Sequence, residues 1–72
     1  MDSEVLEFVT YCISKLAQTL GMSQSDVYIR LKRSGILYEY IVPSYDVLHT
    51  FGSRYLMDDI IGFMKEKGEL PV

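Results

Sequence analysis

Between Val5 and Leu20 the apolar residues Val5, Val9, Cys12, Ile13, Leu16, Ala17 and Leu20 recur at helical spacing, and Gly21 follows at once. A stripe with that period buries itself only as one side of a helix. Ile36 to Val42 has the β-branched and aromatic content of a short strand, but no other segment alternates with period two to pair with it, so the stripe is expected to find further helices rather than a sheet. Ser3 is placed to cap the start, and Glu4 and Glu7 sit where the helix dipole favours negative charge. Gly21 ends the helix by taking the left-handed conformation.

The same logic runs down the chain. Ser23 opens a second helix with Asp26 three residues on, a variant of the capping box, and Val27 and Leu31 form its inner side. Arg30, Lys32 and Arg33 fall in its last turn, where cations suit the dipole. Gly35 is the expected left-handed residue after it, with Ile36 packing back on Leu31 as in a Schellman ending. Leu37 to Ile41 is expected as a short helical turn interrupted before Pro43. A further short helix is expected from Pro43 or Ser44 through His49. From Arg54 to Lys67 a broad apolar side is made by Leu56, Met57, Ile60, Ile61, Phe63 and Met64, and Gly68 and Pro71 close it. The fold expected is all-α: one domain over residues 1–72, a compact bundle of four or five helices containing a helix-turn-helix-like hairpin.

Size then bears on function. A chain of 72 residues with one cysteine has neither an internal disulfide nor a cysteine zinc cage to offset its ordering entropy. Regular packing and association remain, and the nine aromatic residues, six of them Tyr, suit association by giving contact area at low rotamer cost. A homodimer or a partner protein is therefore expected, with no metal and no cofactor. The acidic start Met1-Asp2-Ser3-Glu4 is unlike a basic secretory leader, no apolar run reaches the ~20 residues needed to span a bilayer, and the cytoplasm is the expected compartment.

The segment Leu16 to Val27 resembles a bacterial helix-turn-helix, with Ala17 in the first helix, Gly21 at the turn and Val27 where the helices cross. In that reading Gln24, Ser25 and Tyr28 face base edges, while Arg30, Lys32 and Arg33 hold phosphates. Arg30, Lys32 and Arg33 against Asp26 leave residues 23–35 at +2, the one basic stretch in a chain of net charge −3. Yet the cations lie far from the turn, and Ser3 to Leu20 runs unbroken where a DNA-binding tri-helical core needs a separate preceding helix. Three phosphate contacts also give a salt slope of only about −3 per chain. DNA binding is accordingly the alternative expectation, behind a structural hairpin.

Tyr45-Asp46-Val47-Leu48-His49-Thr50 places Asp46 and His49 on one side of a helix, where they can pair. Ser44, Asp46 and His49 nevertheless lie within about one helical turn, whereas a nucleophile, base and orienter normally converge from separate elements. The expectation is a partly buried His49 bonded to Asp46, Thr50 or a backbone carbonyl, and no enzyme. Cys12 is expected in the core, Met57 and Met64 as core filler, and Asp58-Asp59 as a solvated acidic side or a cap for a neighbouring helix.

The run Tyr45-Asp46-Val47-Leu48-His49-Thr50, followed by Tyr55 and Asp58-Asp59-Ile60, resembles a small uncharacterised bacterial family with a Tyr-Asp-x-Leu-His-Thr core and an acidic, apolar helix after it. The resemblance extends from Phe8 to Gly68, with Phe51 where members often carry Gln. What it implies is a gene neighbourhood with a predicted toxin similar to ADP-ribosyltransferases, and so an antitoxin-like or accessory role. It implies no activity, cofactor or catalytic residue. Together these readings predict a non-enzymatic interaction module that contacts its partner protein through Tyr38, Tyr40, Tyr45, Asp46, His49 and Tyr55.

Overall fold

The computed structural model describes residues 1–72. The chain forms four α-helices, α1 (Ser3–Leu20), α2 (Gln24–Arg33), α3 (Tyr45–Leu48) and α4 (Ser53–Glu66), with a π-helical turn at Leu37–Ile41 between α2 and α3. There is no strand, and the all-α expectation holds. Helices α1 and α2 pack as the expected hairpin, and α4 lies against α1 on another side.

Each helix end has its own chemistry. Asp2, rather than Ser3, caps α1: its carboxylate accepts the Glu4 N–H at 3.2 Å, and Ser3 is the first helical residue. A carboxylate in that position meets the helix dipole with a full negative charge, which a hydroxyl lacks. Gly21 turns left-handed at φ 67°, and the Met22 N–H reaches back to the Ala17 carbonyl at 3.0 Å. The Ser23 hydroxyl caps α2 by accepting the Asp26 N–H at 3.0 Å.

The end of α2 departs from the expected Schellman ending. Gly35 is left-handed at φ 86°, and Ile36 and Leu31 are both buried, but the Ile36 N–H goes to the Ser34 hydroxyl. That hydroxyl in turn donates to the Leu31 carbonyl at 3.1 Å, so one side chain bridges the groups that the backbone would otherwise pair. The full Schellman pair of bonds forms at the end of α4 instead. There the Gly68 N–H bonds Lys65 O and the Glu69 N–H bonds Met64 O, at 3.1 and 2.9 Å.

The turn at Leu37–Ile41 has the expected bounds but a wider bore, with the Val42 N–H bonded to Leu37 O at 3.0 Å. Pro43 carries no N–H, so the Glu39 carbonyl has no donor four residues on, and an ordinary helix cannot run through this point. The turn buries Leu37 and Ile41, and α3 buries Leu48. Of the apolar residues expected on α4, Leu56, Met57, Ile60 and Met64 are buried, whereas Ile61 and Phe63 lie at its edge, half-buried. Cys12, Leu16, Val27, Leu31, Ile41, Ile60 and Met64 have no exposed surface. Each large member of that set contributes roughly 1.5–3 kcal/mol by leaving water. Burial also pushes the Cys12 thiol up to about 12, so the cysteine is core, as expected. Beyond α4 the chain turns inward and buries Glu69 and Leu70.

Candidate functional site

Six residues were expected to mark the contact surface, and the structure divides them. Tyr45 and His49 stand one turn apart on the segment of α3 and stack with ring centres 4.5 Å apart and planes 13° from parallel. Phe8 of α1 meets the edge of this pair, 5.4 Å from Tyr45 at 73°. The His49 Nδ1–H donates to the Tyr45 carbonyl at 2.7 Å, because a carbonyl can only accept. Of the three partners expected for His49, the backbone carbonyl is the one found, and Asp46 and Thr50 are not; the residue is exposed rather than partly buried. The reason is local: the Tyr45 carbonyl, which also accepts the His49 backbone N–H at 3.0 Å, has a second lone pair within reach of the ring one turn on. The Thr50 hydroxyl likewise returns to its own helix, donating to Val47 O at 2.6 Å. Ser44, Asp46 and His49 thus form no relay.

The Tyr45 phenol is held above the usual tyrosine range, first by burial and then by the negative charge of Glu4, Asp2, Asp46 and Glu7. Asp2 caps α1, Glu4 and Glu7 lie in its first two turns and Asp46 lies in α3, so acids at both elements act on Tyr45.

Tyr40 and Tyr55 belong to a second cluster, along α4. The Tyr40 hydroxyl donates to Asp59 Oδ2 at 2.6 Å, and its ring meets Phe63 edge-on at 5.1 Å. This bond to a carboxylate pushes the phenol up to about 12, with burial and the charges of Asp59 and Tyr55 adding to it. Asp59 therefore does tie a neighbouring element to its helix, though through a side chain and not through a helix end. Tyr55 stands one turn before Asp59, meets Phe51 at 4.8 Å, and is 64% exposed. Lys67 lies 5.6 Å above Phe63. Tyr38 projects from the π-helical turn with 53% of its surface in solvent.

Helix α2 carries the residues of the alternative expectation. Gln24, Ser25, Tyr28 and Lys32 are exposed, and Lys32 lies 5.8 Å from the centre of the Tyr28 ring. Gln24, Ser25 and Tyr28 also line a shallow groove of about 310 Å³ with Thr10 and Ile13 of α1. The arginines are engaged within the chain. Arg30 bonds Asp26 at 3.0 Å and also donates to the Glu69 carbonyl. Arg33 grips both oxygens of the Glu69 carboxylate, at 3.1 and 2.5 Å. That grip holds the Glu69 carboxyl below its usual range and the Arg33 guanidinium above its own. Glu69 is the residue that sequence reasoning missed. Its signal was present, since Gly68 followed by an apolar Leu70 marks a chain end that folds back on its helix.

No group of three His, Cys, Asp or Glu side chains is placed to hold a metal, and no helix is long and apolar enough to cross a membrane. Fold and surface together define a small all-helical domain whose polar side chains either lock its elements together or stand on open surface. Residues 7–67 match the family described as "Protein of unknown function (DUF3791)", and the chain belongs to that family. Neither the curated proteins nor the solved structures contain a match.

Proposed function

We propose that the chain is a non-enzymatic interaction module, antitoxin-like or accessory, that binds a partner protein through its tyrosine-bearing surface and works as a homodimer in the cytoplasm. The observation that carries this reading is the pairing of exposed with anchored aromatics. Tyr38 and Tyr55 are more than half exposed; Tyr55 meets Phe51 edge to face, and Tyr40, two residues from Tyr38, is fixed by Asp59 and Phe63. Rings held in place lose little rotamer freedom on binding, which is why tyrosines concentrate at contact hot spots. The resemblance of Tyr45 to Thr50 to a family encoded beside predicted toxins makes such a toxin the partner of first choice.

The test is co-expression of the tagged chain with the product of the adjacent gene, followed by calorimetry on the purified pair. A stable complex is expected, with Tyr38→Ala and Tyr55→Ala each weakening it by about tenfold or more. Absence of a complex, or tyrosine variants that bind as tightly as the parent, contradicts the reading. DNA recognition by α2 is the weaker alternative. Gln24, Ser25, Tyr28 and Lys32 are available to it, but Arg30 and Arg33 are spent on Asp26 and Glu69. A promoter-DNA shift that disappears when Arg30, Lys32 and Arg33 are changed to Ala would favour it.

A further inference from the structure

The surface shared by the first turns of α1 and by α3 carries an indication of its partner's chemistry. Phe8, Tyr45 and His49 form one column of rings, edge to face and then face to face, and His49 at its end is exposed. Val47, on the same short helix, is 58% exposed. Glu4 and Glu7 lie within one turn of Phe8 on α1, Asp46 follows Tyr45 on α3, all three are exposed, and with Asp2 their charge acts on the Tyr45 phenol. None of these carboxylates forms an ion pair within the chain. Residues 1–14 and 34–53, which build this surface, contain no lysine or arginine.

We propose that this surface docks an arginine-bearing segment of the partner protein, with a guanidinium laid on the Tyr45–His49 stack and gripped by the carboxylates of Glu4, Glu7 and Asp46. This rests on the interaction-module reading and names the chemistry of the partner it would take. A guanidinium is planar, stacks on aromatic rings and takes carboxylates two-pronged, so it uses both features of the surface, whereas an ammonium uses mainly the charge. An apolar partner would strip water from four carboxylates without pairing them, and an acidic protein or a nucleic acid would be repelled. A second copy of this chain has little to offer the surface: of its three arginines, Arg30 and Arg33 are already bonded to Asp26 and Glu69, and Arg54 alone is exposed and unengaged.

The experiment titrates the isotope-labelled full chain with a capped peptide alternating Leu and Arg, followed by amide shifts and fluorescence anisotropy. Peptides with Lys or Glu in place of Arg serve as comparisons. The Arg peptide is expected to shift the amides of Glu4, Glu7, Tyr45, Asp46 and His49, to bind more tightly than the Lys peptide, and to weaken steeply with salt. The triple variant Glu4→Gln, Glu7→Gln, Asp46→Asn should lose about tenfold or more in affinity. Asp58→Asn with Glu66→Gln, equally exposed acids on α4, should bind as the parent does, and melting curves confirm that all variants fold. A footprint elsewhere, equal binding of the Lys peptide, or a triple variant of unchanged affinity overturns the proposal. So does a concentration-dependent dimer that the triple variant abolishes, since a second copy then covers the surface. If the partner protein binds the triple variant normally but not the Tyr38 and Tyr55 variants, this inference fails while the interaction-module reading stands.

Discussion

Tyr40→Phe removes one hydroxyl and leaves the ring, so it isolates the bond that joins the π-helical turn to α4. That bond is 2.6 Å long and ends on a carboxylate, the class worth roughly 1.5–3 kcal/mol when buried. Tyr40 and Asp59 are both half-buried, so water can replace part of the interaction, and a discounted loss of about 1 kcal/mol is expected. For a domain of this size that loss lowers the melting temperature by about 4–8 °C, readable by circular dichroism. The pH dependence has a definite sign. The phenol of the folded chain is pushed up to about 12, above the ordinary tyrosine value of about 10, so folding favours the protonated form. The stabilisation is complete below pH of about 10 and is lost as pH rises towards about 12. In the variant this alkaline loss should shrink. Asp59→Asn and the double variant close the cycle, and a coupling energy near zero would refute the claim that this bond ties the two elements.

Other consequences can be checked in the same way. Glu69→Gln should loosen the C-terminal turn, seen as faster amide exchange at Glu69 and Leu70. In the parent, because the Glu69 carboxyl is held low, its contribution is present above the ordinary carboxylate value and lost as pH falls through the lowered one. Gly35→Ala should cost about 1–2 kcal/mol for a side chain at positive φ. Gly21→Ala should cost a similar amount, because the Glu39 carboxylate beside Gly35 is the end of a flexible, exposed side chain that can swing away; urea unfolding compares the two. Cys12 should react with a thiol reagent only as fast as the chain opens, and urea should remove that protection.

How far the sequence reached depended on range. The spans of α1 and α2 follow from their apolar spacing, and the caps at Ser23 and Gly21 follow from residue type alone. At the start of α1 two good capping residues are adjacent, and composition could not choose Asp2 over Ser3. The π-helical turn was legible in its bounds, because Pro43 forbids continuation, but not in its bore, which depends on how Leu37 and Ile41 reach the core together. The stacking of Tyr45 on His49 was implicit in their four-residue spacing, yet the Asp46 partner suggested by equally local spacing lost to a backbone carbonyl. The bonds of Arg30 and Arg33 to Glu69 span 39 and 36 residues, and that of Tyr40 to Asp59 spans 19. No periodicity encodes such pairs, so Arg30 and Arg33 look free in the sequence and are not.

The measurement that bears most directly on the account is an amide-shift map of the labelled chain bound to the adjacent gene's product. Shifts concentrated at Tyr38, Tyr45, His49 and Tyr55, with Gln24 to Lys32 undisturbed, are the predicted result. A footprint confined to α2, or one that DNA reproduces and the protein does not, would contradict it.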